Sequence, residues 1–98
     1  MNAYVAQIIF SIKCSEVKSE QYEEQWRVLF AEDDREALKE AKKIGAAEES
    51  TFIDRHGRPI TWVMVAVKDL QQVDLKHGAQ LFSIIKEVSP VTSPVWAS

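Results

Sequence analysis

Residues 4 to 14, YVAQIIFSIKC, constrain the fold more than any other stretch, because their apolar side chains recur with a period of two. Ala6, Ile8, Phe10, Ile12 and Cys14 fall on one face of an extended chain, and Val5, Gln7, Ile9, Ser11 and Lys13 on the other. Such a stretch predicts a strand. SEVKSEQ (15–21) is polar and reads as a connection. YEEQWRVLFA (22–31) alternates again, with Trp26, Val28 and Phe30 on one face and Glu23, Gln25, Arg27 and Leu29 on the other. Two strands joined by a short polar loop pair antiparallel as a rule.

The period then changes. In FAEDDREALKEAKKIG (30–45), Asp33 suits an N-cap and Glu36 completes a capping box. Ala37, Leu38, Ala41 and Ile44 form one stripe of a helix, with charged residues around the rest. Acidic residues lead and lysines trail, which suits the helix dipole. Gly45 offers a left-handed stop, although AAEE could add a turn. The stripe is narrow and rich in alanine, so the helix can lie close on a sheet as a lid.

Strands return after the helix. STFIDRHGRPITWVMVAVKDL (50–70) predicts a hairpin that turns at Asp54-Arg55-His56-Gly57, where Gly57 is free to take positive φ. Ile60, Trp62, Met64 and Ala66 fall on one side of the return strand, and Thr61, Val63, Val65 and Val67 on the other. QQVDLKHGA (71–79) reads as a loop and QLFSIIKEV (80–88) as a fifth strand. SPVTSPVWAS (89–98) is a proline-bearing tail. The expected architecture is α+β and two-layered. It has a mostly antiparallel sheet of about five strands in the order β-β-α-β-β-β, with one helix on one face. A single domain is expected over residues 1–88.

One helix covers one face only. The other parity carries Val5, Ile9, Leu29, Val63, Val65 and Val67, too much apolar surface to leave wet. Covering roughly 500 Å² is worth on the order of 10 kcal/mol before association costs. A second copy packed sheet to sheet would cover it, with Trp96 of the tail helping, so a homodimer is the expected assembly. The alternative is a sheet that curls and closes its own core.

Composition sharpens the exclusions. A net charge of −3 argues against nucleic acid as a partner. Cys14 is the single cysteine, so neither an internal disulfide nor a thiolate cage is available. No apolar run approaches the roughly 18–20 residues of a membrane span, and no basic leader precedes the first strand, so a cytoplasmic protein is expected.

Candidate chemistry is sparse. His56 and His77 stand beside glycines in RHGR and KHGA without metal-ligand spacing, which reads as exposed loop histidine. Cys14 has no histidine at a suggestive spacing and reads as a half-buried thiol. The carboxylates at 23, 24, 33, 34 and 36 are explained by capping and solvation. Three glycines, none clustered, give no phosphate loop. Arg55, His56, Arg58 and Trp62 form the one basic, aromatic group that could grip a phosphate or stack a base.

Taken together, "YVAQIIFSI", "YEEQWRVLFAEDDREALKEAKKIG", "WVMVAVKDL" and "HGAQLFSIIKE" resemble a small bacterial family catalogued as domain of unknown function 4288. Ala66 stands where that pattern would have glycine. The resemblance spans about residues 4 to 87 and implies no activity, so it transfers no catalytic or binding residue. The expected role is a non-enzymatic, self-associating interaction module that could also bind another protein, with no cofactor and no metal. The alternative is a small-ligand or nucleotide binder at Arg55, His56, Arg58 and Trp62.

Overall fold

The computed structural model describes residues 1–15, 20–85 and 87. It contains β1 (Asn2–Cys14), β2 (Glu20–Ala31), α1 (Asp34–Glu48), β3 (Ser50–Ile53) and β4 (Pro59–Val73). The strands form one four-stranded sheet in the order β2-β1-β4-β3. Every pairing is antiparallel. The architecture is α+β, with one helix laid on a curled antiparallel sheet. Among the described residues no helix is long and apolar enough to cross a membrane.

β1 is the central strand of the core because it pairs on both sides. Tyr4, Ala6, Ile8 and Phe10 are buried in the cluster beneath α1, together with Leu29, Ala31, Ala37 and Ala41. Ile44, Trp62, Met64, Val67 and Leu70 pack around them.

The helix starts as its sequence predicts. The Glu36 N–H donates to Asp33 Oδ1 at 2.8 Å. The Glu36 carboxylate reaches back to the N–H of Glu32 at 3.3 Å, one residue before the cap. Its end differs from the expectation built on Gly45, because the helix continues through AAE to Glu48. The lysines therefore sit a turn too early to face the dipole's negative end, and the last turn carries no basic residue. Gly45 is instead a buried contact point: a Cβ there would collide with the Met64 side chain and stand 3.3 Å from Ile8 Cγ2. Leu38, expected in the stripe, keeps 38% of its accessible surface.

Two strands depart from their expected faces. On β2, the register sets Leu29 opposite Tyr4 and Val28 opposite Val5. Leu29 and Ala31 therefore lie under the helix, while Trp26, Val28 and Phe30 lie on the other face, the reverse of the expected assignment. The helix stripe explains the choice: alanine and glycine bring the helix backbone close, and Leu29 with Ala31 fits the remaining space where bulky rings would not. On β4, the register shifts opposite Gln7/Ile8 and Ile9/Phe10 leave Lys68 and Val65 without partners in β1. These two irregularities invert the parity of the intervening pair only. Val67 faces Ile8 under the helix and Ala66 faces Ile9 on the far side. Leu29 and Val67 are thus corrected from uncovered to covered positions.

The hairpin follows its expectation. Gly57 takes φ of +77°, and the Asp54 N–H donates to the Arg58 carbonyl at 2.9 Å. The fifth strand is not formed: residues 80–85 and 87 carry no strand. Trp96 and the tail at 89–98 lie outside the described residues.

Candidate functional site

The face of the sheet opposite α1 is the candidate site. β1 contributes Val5, Gln7, Ile9 and Ser11 to it, facing Val28, Trp26, Glu24 and Tyr22 of β2. β4 contributes Val63, Ala66 and Asp69. Val5, Gln7 and Ser11 are buried and Ile9 half-buried, so the centre of this face is sheltered although the helix is on the other side. The cover comes from the chain itself. The segment after β4 brings Phe82 edge-on to Trp26, with ring centroids 5.4 Å apart and planes at 63°. Phe82, one of the residues expected to make a fifth strand, thus serves as cover.

That cover stops short of the β2 border. Trp26, Val28 and Phe30 retain 48%, 45% and 54% of their accessible surface. Tyr22 continues the same row and is also exposed. On the β4 side Val63 and Val65 are exposed. Charged groups of both signs rim the face. Lys68 Nζ lies 3.5 Å from Glu24 Oε1, and Lys13 lies 3.8 Å from Glu20. The Ser11 hydroxyl donates to Glu20 at 2.6 Å. That hydrogen bond, aided by Lys13, holds the Glu20 carboxyl below the usual glutamate range.

On the helix side of β2 the same border is polar. The Gln25 amide donates to the Glu23 carboxylate. Arg27 donates to Gln25 Oε1 at 3.0 Å and to Glu48 of the helix at 3.2 Å.

The hairpin residues singled out by sequence do not converge. Arg55 and His56 are exposed at the turn. Arg58 is held by Asp54, whose Oδ2 accepts from Arg58 Nε at 3.0 Å. Asp54 Oδ1 accepts from the N–H groups of His56 and Arg58 at 2.8 and 2.9 Å. Trp62 packs toward the core beside Phe52, with ring centroids 6.4 Å apart. The depression next to Trp62 is lined by Glu49, Ser50, Thr51, Thr61 and Val63, without an arginine. Cys14 is half-buried at the end of β1, and His77 is exposed. Among the described residues no three His, Cys, Asp or Glu side chains gather as metal ligands would. The functional signal that sequence reading missed is the β2 row. It was assigned to the core because aromatic side chains on a strand usually go there.

Fold and surface together define a small one-helix α+β domain whose sheet keeps a partly exposed apolar border. The chain belongs to the family described as "Domain of unknown function (DUF4288)", whose model matches residues 3–83. Comparison with curated proteins and with solved structures returned no match.

Proposed function

We propose that this protein is an interaction module that performs no chemistry of its own and self-associates through its sheet. The observation that carries this reading is the row Trp26, Val28 and Phe30, half-exposed side by side along one border of the face opposite the helix. Three large apolar side chains in one row are a patch, and contiguous apolar patches on a small domain mark interaction surfaces. The mixed-sign rim formed by Lys13, Glu20, Glu24 and Lys68 fits a second copy, because such a rim does not repel itself. Val5 and Ile9 lie behind the row, and Val63 and Val65 extend the apolar surface on the β4 side.

Light scattering on the purified chain at micromolar concentration tests the reading. The expected result is twice the chain mass, falling to the chain mass for Val28→Glu with an unchanged circular dichroism spectrum. A monomer at that concentration refutes self-association.

A further inference from the structure

The free edge of β2 carries the inference furthest. In the order β2-β1-β4-β3, β2 has a single neighbour among the described residues. It is 12 residues long and pairs with β1 from Asn2↔Ala31 to Lys13↔Glu20 without a register shift. Folded domains protect such edges by keeping them short, or by charged side chains, prolines, bulges or a covering element; β2 carries the charges Glu20, Glu23, Glu24 and Arg27. The opposite edge, β3, is short, at 4 residues. β2 has neither a proline nor a bulge, so a row of backbone donors and acceptors faces outward along its whole length.

We propose that this edge pairs antiparallel with the β2 edge of a second copy, about a two-fold axis through Gln25. This inference rests on the self-association reading and specifies its geometry. A strand that pairs with its own copy in a continuous sheet must keep matching faces together, so the axis passes through a residue. The side chains then select which residue. With the axis at Glu23, Glu24 or Arg27, a like charge meets itself. At Trp26 or Val28 no pair within Glu20–Ala31 joins opposite charges: Arg27 faces Gln25 in the first case and Leu29 in the second. At Gln25, Glu23 of each copy faces Arg27 of the other, Gln25 faces Gln25, and no like charges meet. The helix-side row of Glu23, Gln25 and Arg27 is already joined by side-chain hydrogen bonds within one chain. Read in reverse against itself, it is complementary in charge. On the other face the same axis sets Tyr22 against Val28 of the second copy. The same axis sets Trp26 and Phe30 against Glu24 and Glu20 of the second copy.

The test combines cross-linking with charge reversal, in chains whose native thiol is removed by Cys14→Ser. Gln25→Cys should oxidise to a covalent dimer, because facing residues of antiparallel strands lie within the Cα separation a disulfide spans. Lys39→Cys, on the exposed side of the helix, should not. Glu23→Arg should weaken the dimer about tenfold by setting two arginine pairs face to face. The added change Arg27→Glu should restore it to within about twofold of the parent. Circular dichroism confirms that each variant is folded. A dimer by light scattering that neither cross-links at Gln25 nor responds to charge reversal overturns the edge pairing and leaves self-association by the sheet face standing. A monomeric parent chain overturns both, and so does one that gains mass only with a different protein.

Discussion

Gly45 is the position where local and tertiary preferences oppose each other most sharply. In an exposed helix interior, Gly→Ala stabilises by about 1 kcal/mol. Here the added methyl would collide with the Met64 side chain and press on Ile8. Forcing extra volume into a packed site costs about 1–3 kcal/mol. Gly45→Ala should therefore destabilise the domain by about 1 kcal/mol net, or roughly 4–8 °C in Tm for a chain of this size. The sign should reverse once the obstacle is gone. In a Met64→Ala background the same change should stabilise by about 1 kcal/mol, giving a coupling near 2 kcal/mol in the double-mutant cycle. Urea denaturation followed by tryptophan fluorescence, with all four variants at one protein concentration, measures each corner. If Gly45→Ala stabilises the parent as much as it stabilises the Met64→Ala variant, Met64 is not seated over Gly45 and the close helix-to-sheet contact is wrong.

Two further outcomes follow from the irregularities of β4 and from the hairpin turn. Val67→Asp should cost about 2–3 kcal/mol by placing a carboxylate under the helix, whereas Ala66→Asp should stay within about 0.5 kcal/mol of the parent. Equal costs in chemical denaturation, or the reverse order, would mean that the parity of this pair is not inverted. For Asp54, the Arg58 N–H is the strongest cause holding the carboxyl below the ordinary aspartate range, followed by the His56 N–H and the Arg58 guanidinium. A depressed folded value means that the contribution is fully present above the ordinary pKa of about 3.9 and is lost as pH falls through the folded value. Asp54→Ala should thus be less stable than the parent at neutral pH and should lose less stability on acidification. A constant difference between the two chains down to low pH counts against the assignment.

The sequence was most legible where a local rule acts alone. The cap at Asp33, the turn closed by Gly57 and the alternation of β1 each follow from residues within a few positions of one another. What alternation does not reveal is which parity faces the core. β2 offers Trp26, Val28 and Phe30 against Leu29 and Ala31, and hydrophobicity alone favours the first set. The decision lies with a helix whose axis is held close by Ala37, Ala41 and Gly45, a tertiary constraint. β4 failed as a simple alternation for another reason, because two irregularities a few residues apart invert one pair and leave the rest in phase. The stretch at 80–88 has the composition of a strand, but its described part packs as a cover, with Phe82 against Trp26. The hairpin arginines misled in the opposite sense: Arg58 serves the turn by bonding Asp54, so only Arg55 and His56 project at the tip.

The parity of β2 also bears on why the aromatic row stays exposed. Slipping β2 by one residue would turn Trp26, Val28 and Phe30 toward the helix and bring Glu23, Gln25, Arg27 and Leu29 to the opposite face. A domain meant to stand alone would gain by that exchange if its helix left room for the rings. This helix does not, since Ala37 and Ala41 are fully buried against the sheet and Gly45 tolerates no added carbon without displacing Met64. Polar side chains hold the observed register from the helix side, where Arg27 bonds Glu48 across to the helix end. The close-packed core and the exposed aromatic row are thus two consequences of one placement. Widening the helix stripe to bury the row would require larger residues at 37, 41 and 45, and so a different spacing between helix and sheet. Given this spacing, the row can be covered only from the far side. Phe82 reaches Trp26 there, while Val28 and Phe30 remain exposed at the one long edge of the sheet. A second strand arriving at that edge would satisfy the outward backbone groups and flank the row with its own side chains, Tyr22 against Val28.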